Sequence, residues 1–314
     1  MLDAQDKAWL QRLFGPNVRF DEPMAGHTSF NIGGPADAWI QPESEVCLKA
    51  VLEWAQQKQI PFMVIGGGTN LLVKDGGIRG LVIHVGRLAN KLEWVRQHQR
   101  IALSAGAGVA TKRVCALALK QGWRGMNFAL GIPGTLGGAI LMNAGTANGC
   151  MADVIDSVTV MTLTGEKVIL KRDRLAYDYR RLRLPAAMHR AVLIGAELLL
   201  TVGDREQVRR QASVWMRGRA RRQPTWESSA GCFFKNPSAD MPAGRLIDEA
   251  GLKGLQIGAA RVSDRHANFI VNRGGASAAD VLAVKTKIEE TVSSKFGIHL
   301  VPEVCIVGEE KTGA

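Results

Sequence analysis

Two glycine-dense, almost uncharged stretches have the residue types to hold a ligand: Gly66-Gly67-Gly68-Thr69-Asn70, and Gly131-Ile132-Pro133-Gly134-Thr135-Leu136-Gly137-Gly138-Ala139, which runs on to Met142-Asn143-Ala144-Gly145. Glycines this closely spaced suit neither a helix nor a strand interior; their use is to let bare backbone N–H groups approach a bulky anion. Read together, the two stretches form one diphosphate cofactor site. Taken alone, residues 66–70 read equally well as a tight turn, since they lack the Lys-Ser/Thr of a P-loop and the helix of a GxGxxG fingerprint. Cys232 follows Ala230 and Gly231, which leave space beside its thiol; such a thiol can be a nucleophile, a proton donor or inert filling. Arg180 and Glu303 are unremarkable singly, although Pro302 argues for an edge or strand start and lets Glu303 point at a cleft. His266 and the other histidines lack metal spacing and read as structural, so no metal site is expected.

The elements that must position these residues follow from periodicity and punctuation. Strands are predicted at 38–40, 62–65, 71–73, 81–85, 92–95, 101–105, 190–202 and 267–271, with a last one over 298–307. Thr164-Gly165 is a two-residue hairpin signal between 158–163 and 167–170. Ser44 caps a helix through about 58, and a helix over 110–120 stops at Gly122. A short helix ends near Leu141. Asp204 caps one with Val208, Ala212, Trp215 and Met216 on its apolar side, and another covers 244–250. Ser277 and Asp280 form a capping box for a helix through 295, terminated by Gly297. The pattern is α+β, not a clean βαβ repeat.

The 314 residues suffice for two or three domains with full cores. No apolar run is long enough for a membrane span and the N-terminus lacks a signal-peptide layout, which favours the cytoplasm. Five scattered cysteines without a CxxC pair read as free thiols. A net charge of +11 points to an anionic partner. Aromatics are only 6% and do not interleave with the basic residues, so small anions are favoured over nucleic acid. The arginines at 205, 209, 210, 217, 219, 221 and 222 read mostly as a solvated helix face, except those nearest Pro224.

In order along the chain, Thr28-Ser29-Phe30-Asn31-Ile32-Gly33-Gly34-Pro35-Ala36, the two glycine stretches, Tyr179-Arg180, Ala230-Gly231-Cys232-Phe233-Phe234-Lys235-Asn236-Pro237, His266-Ala267-Asn268-Phe269-Ile270-Val271-Asn272 and Pro302-Glu303-Val304 resemble the UDP-N-acetylenolpyruvoylglucosamine reductase (UDP-N-acetylmuramate dehydrogenase) family. The likeness runs from about residue 20 to 308, and the chain resembles the shorter subgroup, without the insertion that carries a substrate-capping tyrosine. The resemblance implies an α+β fold with a two-subdomain FAD-binding unit of the vanillyl-alcohol-oxidase (PCMH) type and a C-terminal α+β substrate-binding domain. The expected segments are 1–80 and 81–203 for FAD, 204–300 for substrate, and 301–314 as a strand and tail returning toward the active site.

By the same resemblance, NADPH gives a hydride to N5 of non-covalent FAD, and the flavin passes it to C3 of UDP-N-acetylglucosamine enolpyruvate. C2 is then protonated to give UDP-N-acetylmuramate, a peptidoglycan precursor. Residues Gly66, Gly67, Gly68, Thr69, Asn70, Gly131, Ile132, Pro133, Gly134, Thr135, Gly138, Ala139 and Asn143 would hold the cofactor. Arg180 would face the substrate carboxylate, and Glu303 would stabilise or protonate the enolate-like intermediate. The family's proton donor is a serine where this chain has Cys232; a thiol, with a reference pKa of roughly 8.5, is the better acid but is open to oxidation. Tyr179, Arg222, Lys235 and Asn236 would contact the substrate. A monomer or weak oligomer is expected. The rivals are a flavin oxidase or dehydrogenase of related fold and a non-catalytic nucleic-acid binder.

Overall fold

The computed structural model describes residues 2–88 and 90–311. Contacts divide the chain into two compact units that are not colinear with the sequence. The first takes residues 2–19, Ala38–Gly67 and Gly80–Arg219; the second takes Phe20–Asp37, Gly68–Arg79 and the described chain from Ala220 onward. Residues 312–314 of the expected C-terminal tail lie outside the described residues.

In the first unit, helix α1 (Ala4–Phe14) opens on an Asp3/Asp6 capping box, and α2 (Glu45–Gln57) opens on Ser44, whose Oγ accepts from Cys47 N at 3.2 Å. Strand Phe62–Ile65 pairs parallel with Ile78–His84 and delivers the chain to Gly66. The larger sheet orders Lys167–Lys171, Ile155–Met161, Val192–Val202, Arg100–Gly106 and Leu92–Gln97, all antiparallel. Its buried face sets Ile101, Leu103, Val158, Val160 and Leu198 in one core with Val114, Cys115 and Ala118 of α3 (Thr111–Gln121). Burial pushes the Cys115 thiol up to about 12, so it is an inert core residue. Gly122 ends α3 at φ +75°, as its type and place predict.

Helix α4 (Leu136–Leu141) follows the second glycine stretch, and α5 (Arg205–Arg222) is capped by Asp204 Oδ1, which accepts from Gln207 N at 2.7 Å. Two local expectations change. The hairpin closes through Thr162 N to Glu166 O at 2.9 Å with Gly165 at φ +76°, so three residues, 163–165, turn the chain instead of two. On α5, Val208 and Ala212 are buried, but Met216 is 48% exposed. The inward row is 208, 212, 215 and 219, and it brings Arg219, not Met216, onto the protein: Arg219 Nη1 donates to Leu130 O at 3.5 Å.

The second unit builds its core from Phe30, Ile32, Leu72, Phe233 and Phe234, with Ile247 of α6 (Ala243–Glu249) and Val281, Val284, Ile288 and Val292 of α7 (Ala278–Phe296). Ser277 and Asp280 form the expected capping box on α7, and Gly297 stops it at φ +69°. Gln256–Ile257, Ala260–Val262 and Ile270–Asn272 make a small antiparallel sheet, and Leu71–Val73 pairs parallel with Cys305–Val307. The strand expected over 298–307 is therefore only its last three residues. Pro302, lacking an N–H, stops at an isolated bridge with Phe234. The strand expected over 267–271 is shortened too, because Phe269 N turns back to His266 O at 2.9 Å. No described helix is long and apolar enough to cross a membrane, and no cluster of potential metal ligands occurs among the described residues.

Candidate active site

Both glycine stretches contribute to the first unit, where they touch. A Cβ on Gly66 would lie 2.1 Å from Thr135 Oγ1, so the absence of a side chain lets the Thr135 turn settle against the end of strand Phe62–Ile65. Thr135 caps α4, its Oγ1 accepting from Gly138 N at 3.4 Å. The amides of Leu136, Gly137 and Ala139 are used inside the protein, by Val109 O, Ala107 O and Thr135 O at 2.8, 2.9 and 2.9 Å, and Ile132 N donates to Ala129 O at 3.0 Å. The N–H groups of Gly66, Gly67, Gly131, Gly134 and Thr135 find no acceptor among the described residues. A loop lined by unused amide donors, with a Cβ excluded at Gly66, fits a diphosphate. Gly131 turns at φ +76°, and a Cβ there would meet Arg219 Cδ at 3.0 Å, so a guanidinium side chain lies over this turn.

Arg180 is also in the first unit, in the two-residue turn between Ala176–Asp178 and Arg181–Arg183, at φ +60°. Its Cζ sits 5.0 Å from the centroid of the Tyr179 ring, which is 50% exposed. Burial pushes the neighbouring Tyr177 hydroxyl up to about 12, against the opposing charge of Arg172, so Tyr177 stays neutral near neutral pH. Asn143, expected among the cofactor residues, spends both amide atoms on the backbone: Nδ2 donates to Asp178 O at 3.1 Å and Oδ1 accepts from Ala152 N at 3.0 Å.

The second unit holds Cys232, Glu303 and the rest of the first glycine stretch. Gly68 stands at φ +60°, where a Cβ would meet His27 O at 1.9 Å. Ser29 fastens this loop: its N donates to Gly68 O at 3.2 Å and its Oγ donates to Ser229 O at 2.6 Å, with Thr69 O a second acceptor in reach at 3.4 Å. Asn268, 2% exposed, clamps the segment after Cys232, accepting from Phe234 N at 2.9 Å and donating to Phe234 O at 2.8 Å. Glu303 N then donates to Phe233 O at 2.8 Å, and Asn70 Nδ2 donates to Glu303 O at 3.1 Å. One continuous set of bonds thus brings the Cys232, Glu303 and Asn70 segments together. Asn236 Oδ1 accepts from Ala243 N at 3.0 Å at the start of α6, leaving its amide nitrogen for a ligand. Lys235 is half-buried with no carboxylate partner among the described residues, and Arg222 is exposed. Ser29 and Asn268 were visible in sequence only as parts of motifs; nothing local assigns them these distant partners.

Burial, and then the positive charges of Lys253 and Arg222, hold the His266 imidazole below its ordinary range. The unfolded chain therefore takes up this proton first as pH falls past about 6.5, so the histidine's contribution to stability is present above that value and is lost as pH falls toward its folded pKa. Urea midpoints measured between pH 7.5 and pH 5 should fall on acidification, and His266→Gln should flatten the fall. Parallel curves for the two proteins would exclude His266 as the source.

Residues 36–171 match the family model of an FAD binding domain, and residues 223–307 match that of the UDP-N-acetylenolpyruvoylglucosamine reductase C-terminal domain. Fold and matched domains are those of a flavoprotein with an FAD-binding domain and a C-terminal domain of its own family. The chain is 43% identical to the UDP-N-acetylenolpyruvoylglucosamine reductase of Desulfosudis oleivorans over 315 residues, covering 98% of this chain and 100% of that protein. It is 43% identical to that of Geobacter metallireducens over 290 residues, covering 92% and 94%. The crystal structure of the Thermus caldophilus reductase superposes with a TM-score of 0.76 at 33% identity, covering 92% of this chain and 97% of that one. The chain belongs to the UDP-N-acetylenolpyruvoylglucosamine reductase family of FAD-dependent oxidoreductases.

Proposed function

We propose that this chain carries out the NADPH-dependent reduction of UDP-N-acetylglucosamine enolpyruvate to UDP-N-acetylmuramate, a cytoplasmic step in peptidoglycan precursor synthesis, acting as a monomer or weak oligomer. The observation that supports the reading most is the backbone bond from Glu303 N to Phe233 O at 2.8 Å, which joins the segment carrying Glu303 to the residue that follows Cys232. The unused amides of Gly66, Gly67, Gly131, Gly134 and Thr135 support the assignment of this loop pair to FAD, held without a covalent link. When bound, FAD supplies the two-electron relay between NADPH and the enolpyruvyl double bond.

The chain's own groups have three tasks. Addition of hydride at C3 of the enolpyruvyl group leaves negative charge at C2 and on its carboxylate. Arg180 offers a fixed guanidinium for that carboxylate, and such preorganised charge is most effective where charge develops. The Cys232 S–H gives its proton to C2, completing the net addition of H2, and Glu303 stabilises the same developing charge through a proton shared with the substrate. Lys235, the Asn236 amide nitrogen and Tyr179 hold the uridine-diphosphate sugar, with Arg222 supplying positive charge for its diphosphate.

The test is an anaerobic assay of purified holoprotein. NADPH should be consumed one-for-one with UDP-N-acetylglucosamine enolpyruvate and not in its absence, and acid should release the yellow chromophore from the protein. Turnover with oxygen and an alcohol or lactone substrate, with no response to the enolpyruvyl nucleotide, would replace this reading with a flavin oxidase of related fold.

A further inference from the structure

Asn143 stands just past Met142, the C-cap of α4, and lies at φ +40°, a left-handed conformation that asparagine tolerates better than most side chains. It is buried, and its carboxamide bridges two backbone segments: Nδ2 to Asp178 O at 3.1 Å and Oδ1 from Ala152 N at 3.0 Å. Asp178 is the last strand residue before the Tyr179-Arg180 turn, and Arg180 is itself left-handed at φ +60°. Non-glycine residues in that region persist only where their surroundings hold them. Here the Asn143 amide is one brace, one residue upstream of the turn, beside the hairpin pairing of Asp178 with Arg181 and the ion pair of Asp178 with Arg183. The other end of α4 begins at Thr135, whose side chain packs into the space left by Gly66. One six-residue helix therefore connects the glycine-lined loop to the anchor of the arginine turn.

We propose that Asn143 is a positioning residue: it fixes the Tyr179-Arg180 turn through Asp178 O and is not itself a cofactor contact. The inference rests on the reading of Arg180 as the cation for the substrate carboxylate. A side chain whose acceptor and one of whose donors are committed to backbone partners has little left for a ligand, whereas a turn of two residues moves as its strand end moves. A displacement of about 1 Å at such a group is enough to lower a rate by roughly a hundredfold.

The decisive variant is Asn143→Asp, which keeps the tolerance for positive φ and the acceptor for Ala152 N but replaces the donor to Asp178 O with a second acceptor. Rapid mixing of the holoprotein separates flavin reduction by NADPH from reoxidation by UDP-N-acetylglucosamine enolpyruvate, and fluorescence titration of the apoprotein gives FAD affinity. N143D should reoxidise roughly ten- to a hundredfold more slowly, with flavin reduction and FAD affinity unchanged. In an Arg180→Ala background the same change should add nothing, because the group it positions is gone. Weakened FAD binding in N143D, a normal reoxidation rate, or a full additive loss on R180A would each overturn the proposal. R180A reoxidising at the wild-type rate would remove the assignment of Arg180, and with it this inference, without any Asn143 variant being needed. Should N143D fail to fold, Asn143→Gly, which accepts the same φ and drops both bonds, carries the same comparisons.

Discussion

Replacing Gly66 with alanine should abolish tight FAD binding, and removing the Thr135 hydroxyl should restore part of it. A Cβ at position 66 would sit 2.1 Å from Thr135 Oγ1 and 3.2 Å from Thr135 Cβ, so in the single variant one loop must retreat. Thr135 is a poor candidate for a small adjustment: its χ1 is stiff because it is β-branched, and its Oγ1 caps α4. Moving the loops apart breaks the alignment of their unused amides on an anionic ligand. Each hydrogen bond to a charged group contributes about 1.5–3 kcal/mol, so losing one weakens binding roughly ten- to a hundredfold. Thr135→Ala alone costs about 1 kcal/mol of capping. In the double variant it removes the atom at 2.1 Å and leaves a contact the structure can absorb. Flavin fluorescence titrations should therefore rank wild type, T135A, the double variant and G66A in falling affinity. A G66A protein that binds FAD normally, or a double variant no better than G66A, would show that this contact does not set the site. No such rescue is available at Gly68, where the intruding neighbour is the backbone oxygen of His27 and φ is +60°.

Features written in adjacent residues could be read directly from the chain. Ser277, Asp280 and Gly297 bound α7 by local chemistry, and Gly122 and Gly251 end their helices at φ +75° and +77° for the same reason. Arg180 and Glu303 are unremarkable as single residues, and they and Cys232 stand out only through the resemblance of the motifs that carry them. Their supports could not be read from the chain. Ser29 reaches Ser229 across 200 residues, and Asn268 reaches Phe234 across 34, so neither bond leaves a local pattern. Asn143 lies in the middle of a glycine-rich motif, which suggests a ligand contact, yet its bonds go to Asp178 and Ala152. The compact units are equally illegible in composition, since Phe20–Asp37 and Gly68–Arg79 leave their sequence neighbours to fold with the C-terminal part. Sequence pattern offers the candidate residues; long-range hydrogen bonds decide where their segments stand.

Cys232→Ala should lower turnover by roughly a hundred- to ten-thousandfold, the range expected when a positioned general acid is lost, while flavin reduction by NADPH proceeds normally. The structure gives the thiol a defined station: Gly231 turns before it at φ +83°, and Phe233 and Phe234 behind it are held by Asn268 and fully buried. Alanine preserves that backbone, so a loss of turnover would report the missing S–H and not a collapsed wall. Cys232→Ser separates proton donation from the special properties of sulfur. A hydroxyl is the weaker acid but can still pass a proton within a hydrogen bond, so C232S should retain much more turnover than C232A. The two proteins with a donor should then differ in redox behaviour. Hydrogen peroxide converts an accessible thiol to a sulfenic acid with release of water, removing the proton donor until a reductant restores it. Wild type should lose activity in peroxide and regain it with dithiothreitol, and C232S should do neither, although Cys47, Cys150 and Cys305 are also accessible in both. Normal turnover in C232A would assign the proton to another group, with Glu303 the first to examine. Equal peroxide sensitivity in wild type and C232S would place the oxidised thiol elsewhere in the chain.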